Sequence, residues 1–490
     1  MSHTHTIFLD HASTTPVHPE VLGLMLPFFG NHFATPSNPF GFGDTPRKAL
    51  EEARSRVGRL IGSQGHEIVF TSSGTEANNL AVLGTARAHG GKKRHIVTSS
   101  IEHASVLHAV HHLRDTGFEV TELGVNAQGL VDPAAVRSAI RDDTFLVTIM
   151  HASNETGAVE PIEEIGLIAR EHGVIFHCDC VQSAGKVSID VNAIHADLLS
   201  ISSHKLYGPK GVGALYVRDS TVISPILFGS GQERGLRPGT VNVPCIVGFG
   251  LACEKARDTL KENARSVALL RDRLEQGLMD RIPGIRINGH DAPRLPHISS
   301  ISFEGIQADS LAAWLDLLDI AVSPRASLFS KRTSQTLSAL HIPPELAFGT
   351  VRFSPGRENT APEIDKTVEA VRRAVTGLRD FAHLVEGQEA CVLTFSDRKD
   401  VAAAFRVLQG GDIPSIVMPL PVELKHLAGP RITLAVPCMR QDEAGSLLGS
   451  QGISITGMHP VKGLCRERSD QEKRFWDKVS AVKKDRKEPS

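Results

Sequence analysis

The stretch Ser202-Ser203-His204-Lys205-Leu206-Tyr207-Gly208-Pro209-Lys210-Gly211 decides how this chain of 490 residues is interpreted. It follows the apolar run Asp197–Ile201, which predicts a strand that ends at a Gly- and Pro-rich turn. A lysine in such a turn can form a Schiff base with an aldehyde cofactor. Lys205 is therefore the first candidate catalytic residue.

Four other apolar runs end in a similar way, at polar or Gly-rich segments. They are Glu67–Phe70 before Thr71–Glu76, His95–Thr98 before Ser99–His103, Phe145–Met150 before His151–Glu155, and Val174–Cys178 before Asp179. Helical patterns alternate with these runs up to about residue 250, which predicts a mostly parallel sheet covered by helices. Because ligands bind at the carboxyl ends of strands in such sheets, the five strand ends predict one shared site.

The polar residues at these ends suit one particular cofactor. An aspartate such as Asp179 can keep a pyridine nitrogen protonated, and a lysine with such an aspartate is the binding signature of pyridoxal phosphate. Ser73-Gly74-Thr75 opens a predicted helix whose free N–H groups and dipole suit a phosphate. The imidazole of His103 can stack on the cofactor ring. The side-chain amides of Asn154 and Gln182 can form hydrogen bonds with the phenolic oxygen of that ring.

Seven segments, in chain order, carry a resemblance to the cysteine desulfurases, which are class V, fold-type I pyridoxal-phosphate enzymes. These segments are Leu9–Pro16, Thr71–Asn79, Glu102-His103, Asn154–Gly157, Asp179–Gly185, Ser202–Gly213 and Gly231–Thr240. The resemblance covers about residues 7–380. It implies an α/β fold with a large, mostly parallel-sheet domain and a small α+β domain. It also implies a homodimer that cleaves the C–S or C–Se bond of cysteine or a related amino acid to give alanine.

The resemblance also implies a role for each site residue. Lys205 would carry the cofactor and act in catalysis together with His103, which would stack on the ring. Asp179 would pair with the pyridine nitrogen, and Arg352 would bind the substrate carboxylate through its forked guanidinium. The remaining cofactor contacts would come from Gly74, Thr75, Asn154, Gln182, Ser202 and His204, with Thr240 reaching the phosphate of the neighbouring subunit.

The sequence departs from the family where the catalytic cysteine is expected. That cysteine lies in a loop between a strand like Ile320–Ser323 and a helix like Leu337–Leu340. Here the loop Pro324–Thr333 contains no cysteine, and Leu328 stands near the expected position. None of the seven cysteines lies between Cys253 and Cys391. The Asn-Pro-Ser-Ser-x-His pattern of the family is also altered, to Thr-Pro-Ser-Asn-Pro-Phe at Thr35–Phe40.

Three explanations of the missing thiol remain open. A cysteine of the carboxyl-terminal region, Cys391, Cys438 or Cys465, could supply the nucleophile. The substrate could instead lose its leaving group without thiolate attack, as selenocysteine or cysteine sulfinate can. The chain could also catalyse a different class V reaction, or bind a sulfur-transfer protein without catalysis.

The remaining predictions concern organisation and partners. We expect a large domain over 1–255, a small domain over 256–386 and a polar tail over 461–490. One long helix, from about Ile246 to Arg281, should lead from the large domain into the small one. Residues 387–460 resemble a selenium or sulfur carrier-like α+β domain completed by Ser446–Ile455, although the usual Cys-Gly element is missing near His426–Arg431. A formal net charge of -2 argues against nucleic-acid or membrane binding, and no metal site is expected. We expect a cytoplasmic enzyme, with a sulfur-acceptor protein as a further partner.

Overall fold

The computed structural model describes residues 6–91, 93–325, 334–386, 388–421, 424, 426–427 and 429–461. The predictions about Leu328, Cys465 and the polar tail lie outside this part, apart from residue 461. The described residues divide into two compact units, one with 6–304, 320–325 and 334–368, the other with 305–319 and 369–461. The four predicted domain ranges stay a prediction. In the described part of the chain, no helix is long and apolar enough to cross a membrane.

A seven-stranded sheet forms the centre of the first unit. Its strands, in chain order, are β2 (Ile68–Thr71), β3 (His95–Ser99), β4 (Glu119–Leu123), β5 (Thr144–Thr148), β6 (Ile175–Asp179), β7 (Leu198–Ser202) and β8 (Gly213–Val217). The spatial order is β2-β8-β7-β6-β5-β3-β4, and β8 alone of these seven runs antiparallel to its neighbours. The other six point the same way, so the five predicted strand ends lie at one edge of the sheet.

Helices cover both faces of this sheet because its strands are apolar on both faces. Val97 and Val147 belong to one buried cluster, whereas their chain neighbours Ile96 and Leu146 belong to another. This alternation follows from the two-residue period of a strand. The helices of this region are α1 (Pro19–Met25), α2 (Pro27–Gly30), α3 (Asp44–Ile61), α4 (Gly74–His89), α5 (Ala104–Asp115), α6 (Pro133–Ala139), α7 (Ile162–Glu171), α8 (Val243–Asp258) and α9 (Leu260–Met279).

Two local predictions in the first unit are wrong. The predicted helix from Ile246 to Arg281 is two helices, because α8 ends at Asp258 and Thr259 leaves the helical conformation with φ -108° and ψ 12°. Apolar residues keep the helical period through this break, so the pattern hides it. The predicted strand Ile320–Ser323 is also two strands, whose residues join different sheets.

The two short strands connect the small sheet with the amino-terminal segment. β11 (Ile320–Ala321) pairs in parallel with β1 (Ile7–Phe8). β12 (Ser323–Pro324) joins a four-stranded sheet of order β12-β13-β10-β9, with β9 (Ile285–Asn288), β10 (Ser299–Phe303) and β13 (Thr350–Phe353). Two short helices, α11 (Gln335–Ala339) and α12 (Pro344–Ala347), precede β13 in the chain, and the longer α13 (Ala361–Leu384) follows it.

The second unit contains a four-stranded antiparallel sheet. Its strands are β14 (Ala390–Thr394), β15 (Ile416–Pro419), β16 (Ile432–Pro437) and β17 (Gly457–Val461), and its helices are α14 (Arg398–Gly410) and α15 (Gln441–Ser450). β17 pairs with β14 and was not predicted from the sequence, where Ser446–Ile455 was expected to complete the domain. Trp314 of α10 (Ala308–Leu317) packs edge-on against Phe405, with ring centroids 4.7 Å apart.

A buried ion pair fixes the connection after β8 to the central sheet. Arg54 of α3 forms two hydrogen bonds of 2.7 Å to the carboxylate of Glu233, and the N–H of Phe70 in β2 donates to the same carboxylate. Both charged side chains are largely buried. Removing one partner of such a pair leaves a buried charge without compensation.

We expect Glu233→Gln to lower the free energy of unfolding by about 3 kcal/mol, because the buried charge of Arg54 would lose its buried carboxylate and keep only the exposed Glu51, 3.3 Å from its Nε. The measurement is urea unfolding followed by circular dichroism. Asp365→Asn is the matched control, since Asp365 forms a similar two-bond pair with Arg273 at the surface. The control should cost less than about 1 kcal/mol. Equal losses in the two variants would contradict the role of burial.

Candidate active site

Lys205 lies in a single turn of 3-10 helix, Ser203–Lys205, that follows β7. Its Nζ donates hydrogen bonds to the carbonyl oxygens of Ala12 at 2.6 Å and Ser13 at 2.9 Å. Burial, followed by the nearby charge of Arg352, lowers the pKa of Lys205 from its ordinary 10.5 to about 8. A lysine in this state can reach the neutral, nucleophilic form near physiological pH.

Asp179 ends the neighbouring strand β6, and both of its carboxylate oxygens are held. The side-chain amide of Asn78 donates to Oδ2 at 2.7 Å, and the N–H of Val181 donates to Oδ1 at 2.9 Å. Such donors fix the orientation of the carboxylate. Asn78 was missed by the sequence reasoning, although it lies one helical turn after Gly74 on α4, and that spacing could have revealed it.

The opening of α4 forms a close backbone approach beside Ser202. A Cβ atom on Gly74 would lie 2.6 Å from a methyl group of Val181 and 3.3 Å from Cβ of Ser202, so a side chain there would fill the space. The Ser202 hydroxyl is buried and has no hydrogen-bond partner in the described structure. An unpartnered buried hydroxyl beside free helical N–H groups is the arrangement that a phosphate would complete.

Two histidines, His103 and His204, line the same pocket. Nδ1 of His103, the residue before α5, accepts a hydrogen bond from the N–H of Ser105 at 3.2 Å. Burial, followed by the charge of Lys205, lowers the pKa of His204 to about 4. His204 is therefore neutral near pH 7, and its Nδ1 lies 3.1 Å from the hydroxyl of Thr14.

The structure brings nine of the predicted site residues into one pocket of about 210 Å³: Gly74, Thr75, His103, Asn154, Asp179, Gln182, Ser202, His204 and Lys205. The pocket has an amine on one side, a fixed carboxylate on another and an unpartnered hydroxyl at a helix start. This donor set fits pyridoxal phosphate, which needs an amine for its aldehyde, an acid for its ring nitrogen and donors for its phosphate.

Arg352 lies beside this pocket, fully buried on β13. Its guanidinium donates to the carbonyl oxygen of Asn154 at 2.5 Å, to Oδ1 of Asp10 at 2.7 Å and to the hydroxyl of Ser13 at 2.7 Å. Nε of Arg352 has no partner in the described structure. Asp10 and Ser13 belong to the amino-terminal motif Leu9–Pro16, but no pattern in the sequence predicts that they contact this arginine.

Besides Arg352, Thr240 is the other predicted site residue outside this group of nine. It is exposed, and it does not line the pocket. A single chain therefore does not bring Thr240 to its own site residues, and the predicted contact across a dimer stays a prediction.

Comparisons with known proteins cover most of the first unit. The family described as "Aminotransferase class-V" matches residues 7–367. "Cysteine desulfurase IscS" of Methanosarcina thermophila is 44% identical over 380 residues, which cover 77% of this chain and 94% of that protein. "Cysteine desulfurase IscS" of Anaeromyxobacter sp. (strain Fw109-5) is 46% identical over 385 residues, covering 78% of this chain and 95% of that protein.

Two solved structures are similar as well. One is titled "NIFS-LIKE PROTEIN", with a TM-score of 0.72 and 34% identity over 76% of this chain and 100% of the other. A second is titled "SspA in complex with cysteine", with a TM-score of 0.65 and 36% identity over 72% of this chain and 100% of the other.

The lowered pKa of Lys205 predicts how uptake of pyridoxal phosphate by cofactor-free protein depends on pH. Only the neutral amine attacks an aldehyde, so the rate of uptake should rise with pH and reach half of its maximum near pH 8. The measurement is the rate of the absorbance change after pyridoxal phosphate is added. Asp10→Asn should move the midpoint lower, because the Asp10 charge raises the pKa of Lys205.

Asp115→Asn is the control for this experiment, because Asp115 is exposed at the end of α5. It should leave the midpoint unchanged. A midpoint near 10 in the unchanged protein would contradict the lowered pKa of Lys205.

Proposed function

The chain belongs to the class V aminotransferase family, among its cysteine desulfurases, and on that premise we propose that it breaks the bond between Cβ and sulfur or selenium in a cysteine-like amino acid, leaving alanine. The relatives confirm the predictions of family, of an α/β fold-type I enzyme and of pyridoxal phosphate as cofactor. The observation that carries the proposal is that Lys205 and Asp179 share one pocket. A lysine and an aspartate placed in this way let the cofactor withdraw electrons from a substrate. A non-catalytic binding protein would not need that pair.

We assign the cofactor contacts as follows. Asp179, oriented by Asn78, would pair with the ring nitrogen, and His103 would lie against the ring. The phosphate would be held by Gly74 and Thr75 at the start of α4 and by the side chains of Ser202 and His204. Asn154 and Gln182 would reach the phenolic oxygen.

The residues around the substrate have separate tasks. Bound pyridoxal phosphate supplies an electron sink for the electron pair released at Cα. Lys205, with its pKa of about 8, would take the Cα proton and return it as a general acid. Arg352 would bind the α-carboxylate, and its bonds to Asp10 and Ser13 fix the guanidinium before substrate arrives.

The source of a thiolate limits which substrates this site can use. No thiol of the described residues lines the pocket. In the second unit, the thiols of Cys391 and Cys438 contact each other, and burial raises the pKa of both. Cys391, Cys438 and Cys465 remain our candidates if cysteine itself is the substrate, and Cys465 lies outside the described residues. Selenocysteine and cysteine sulfinate would need no protein thiol.

Supplying the purified enzyme with cysteine, selenocysteine and cysteine sulfinate in turn tests the proposed function. We expect alanine from at least one of them, and we expect Lys205→Ala to abolish its formation together with the cofactor absorbance. Lys186→Ala is the matched control, because burial lowers the pKa of Lys186 to about 8 as well, in a different pocket. It should keep the cofactor absorbance. Bound cofactor without alanine from any of the three substrates would contradict the proposed function.

We also propose a cytoplasmic homodimer that delivers sulfur or selenium to an acceptor protein. The exposed position of Thr240 supports the dimer, since a partner subunit could then use it at its own phosphate. The short segment Arg237–Thr240 is anchored by Arg237, which donates to the carboxylate of Glu76 at 2.8 Å on α4.

Mixing two inactive variants tests this exchange. Lys205→Ala and Thr240→Val should each have low activity alone, whereas a refolded mixture should regain about a quarter of the normal activity. In the mixed dimer, one site combines an intact Lys205 with the intact Thr240 of the other subunit. Activity that stays at the level of the two separate variants would contradict a shared site.

A further inference from the structure

A second arginine lies on the same face of the small sheet as Arg352. Ser323 of β12 is in register with Arg352 of β13. The N–H of Arg325 donates to the carbonyl oxygen of Thr350 at 2.9 Å, so the pairing of the two strands continues one residue beyond β12. Side chains two residues apart on a strand share a face, which places Arg325 on the face of Ser323 and Arg352.

The two guanidinium groups are close enough to influence each other. Burial lowers the pKa of Arg352 most, and the charge of Arg325 is the next cause, ahead of the charge of Asp10. The charges of Arg352 and Arg325 also add to the effect of burial in lowering the pKa of Lys205. Arg325 therefore contributes positive charge to the part of the site where the substrate carboxylate would lie.

The carboxylates near these arginines are distributed unequally. Arg352 is paired with Asp10 at 2.7 Å. Within the described ranges, no carboxylate forms an ion pair with Arg325, whose Nε donates only to the carbonyl oxygen of Pro324 at 3.2 Å. Asp10 thus offsets part of the positive charge at Arg352, whose Nε still has no partner in the described structure, whereas the charge of Arg325 is available to a second anionic group of a ligand.

We propose that Arg325 binds an acidic group on the side chain of the substrate, so that this site takes amino acids with a sulfinate or a carboxylate on Cβ. The inference rests on the proposed function, because it assumes that Arg352 holds the α-carboxylate. It explains how the enzyme can act without a thiol at Pro324–Thr333. Arg325 would bind a substrate whose leaving group departs without attack by a protein thiol.

The chemistry of such a substrate balances without an oxidant or a thiol. With cysteine sulfinate, the Cβ–S bond breaks, its electron pair stays on Cβ, and the sulfur leaves with both oxygens as SO₂. A proton then adds to Cβ, and alanine results. Aspartate is the carboxylate counterpart, in which the Cβ–C bond breaks, CO₂ leaves and Cβ gains a proton. Both reactions start from the anionic group that Arg325 would bind.

Binding of two unreactive analogues to the holoenzyme tests the inference. 2-Methylaspartate and 2-methylalanine both lack the α-hydrogen, and they differ in the acidic group that Arg325 would contact. Calorimetric titration should give an affinity for 2-methylaspartate at least about tenfold higher, which is typical of one charge-assisted hydrogen bond. Arg325→Gln should remove this preference, and Arg325→Lys should keep part of it because the charge remains. Arg281→Gln, at an exposed position, should leave both affinities unchanged.

The outcomes separate this inference from the proposed function. Equal binding of the two analogues, or an unchanged preference in Arg325→Gln, would overturn the acidic-substrate inference alone. Binding of neither analogue by the holoenzyme would also overturn the inference, whereas the proposed function fails only if none of the three substrates gives alanine. As a second measurement, Arg325→Gln should lower kcat/KM for cysteine sulfinate at least about tenfold, with sulfite measured beside alanine. Carbon dioxide from aspartate, with no sulfite from the sulfinate, would assign the site to carboxylates.

Discussion

The hydrogen bonds of segment 10–15, which in this structure include those from Lys205 to Ala12 and Ser13, connect the amino-terminal segment to the end of β7, and the geometry of the whole site depends on this connection. The side chain of Gln182 also donates to the carbonyl oxygen of Ala12, at 3.0 Å. Thr15 donates to the carbonyl oxygen of His204 at 2.9 Å. Segment 10–15 is therefore bonded to several parts of the pocket, and it carries two of the partners of Arg352 as well.

The same segment sets the balance of charge in the site. Asp10 neutralises Arg352, whereas burial and two guanidinium charges disfavour a protonated Lys205. The side-chain amide of Asn78 orients the carboxylate of Asp179. The pocket therefore offers a basic amine near neutral pH, a fixed carboxylate and an excess of positive charge at the substrate end. That combination favours anionic amino acids and proton transfer at Cα, and none of it requires a protein thiol.

Much of the pocket could be predicted from the sequence because parallel strands place their carboxyl ends together. Lys205, Asp179 and His103 follow different strands, and their meeting depends only on strand direction. Asn78 and Ser13 were missed because their side-chain partners lie 101 and 339 residues away in the chain, respectively. Only Asn78 had a local signal, its spacing of one helical turn from Gly74. The role of Arg325 could not be seen either. It depends on the division of one apolar run into β11 and β12, which pair with different sheets, and local propensity carries no information on that choice.

The central claim is that Lys205 carries the cofactor in the pocket that contains Asp179. The most direct measurement is reduction of the holoenzyme with borohydride, which makes the lysine-cofactor bond permanent, followed by peptide mass spectrometry. We predict one peptide with the mass of the reduced cofactor, and fragmentation should place that mass on Lys205. Attachment to another lysine, such as Lys186 or Lys210, or no attached cofactor at all, would contradict the account.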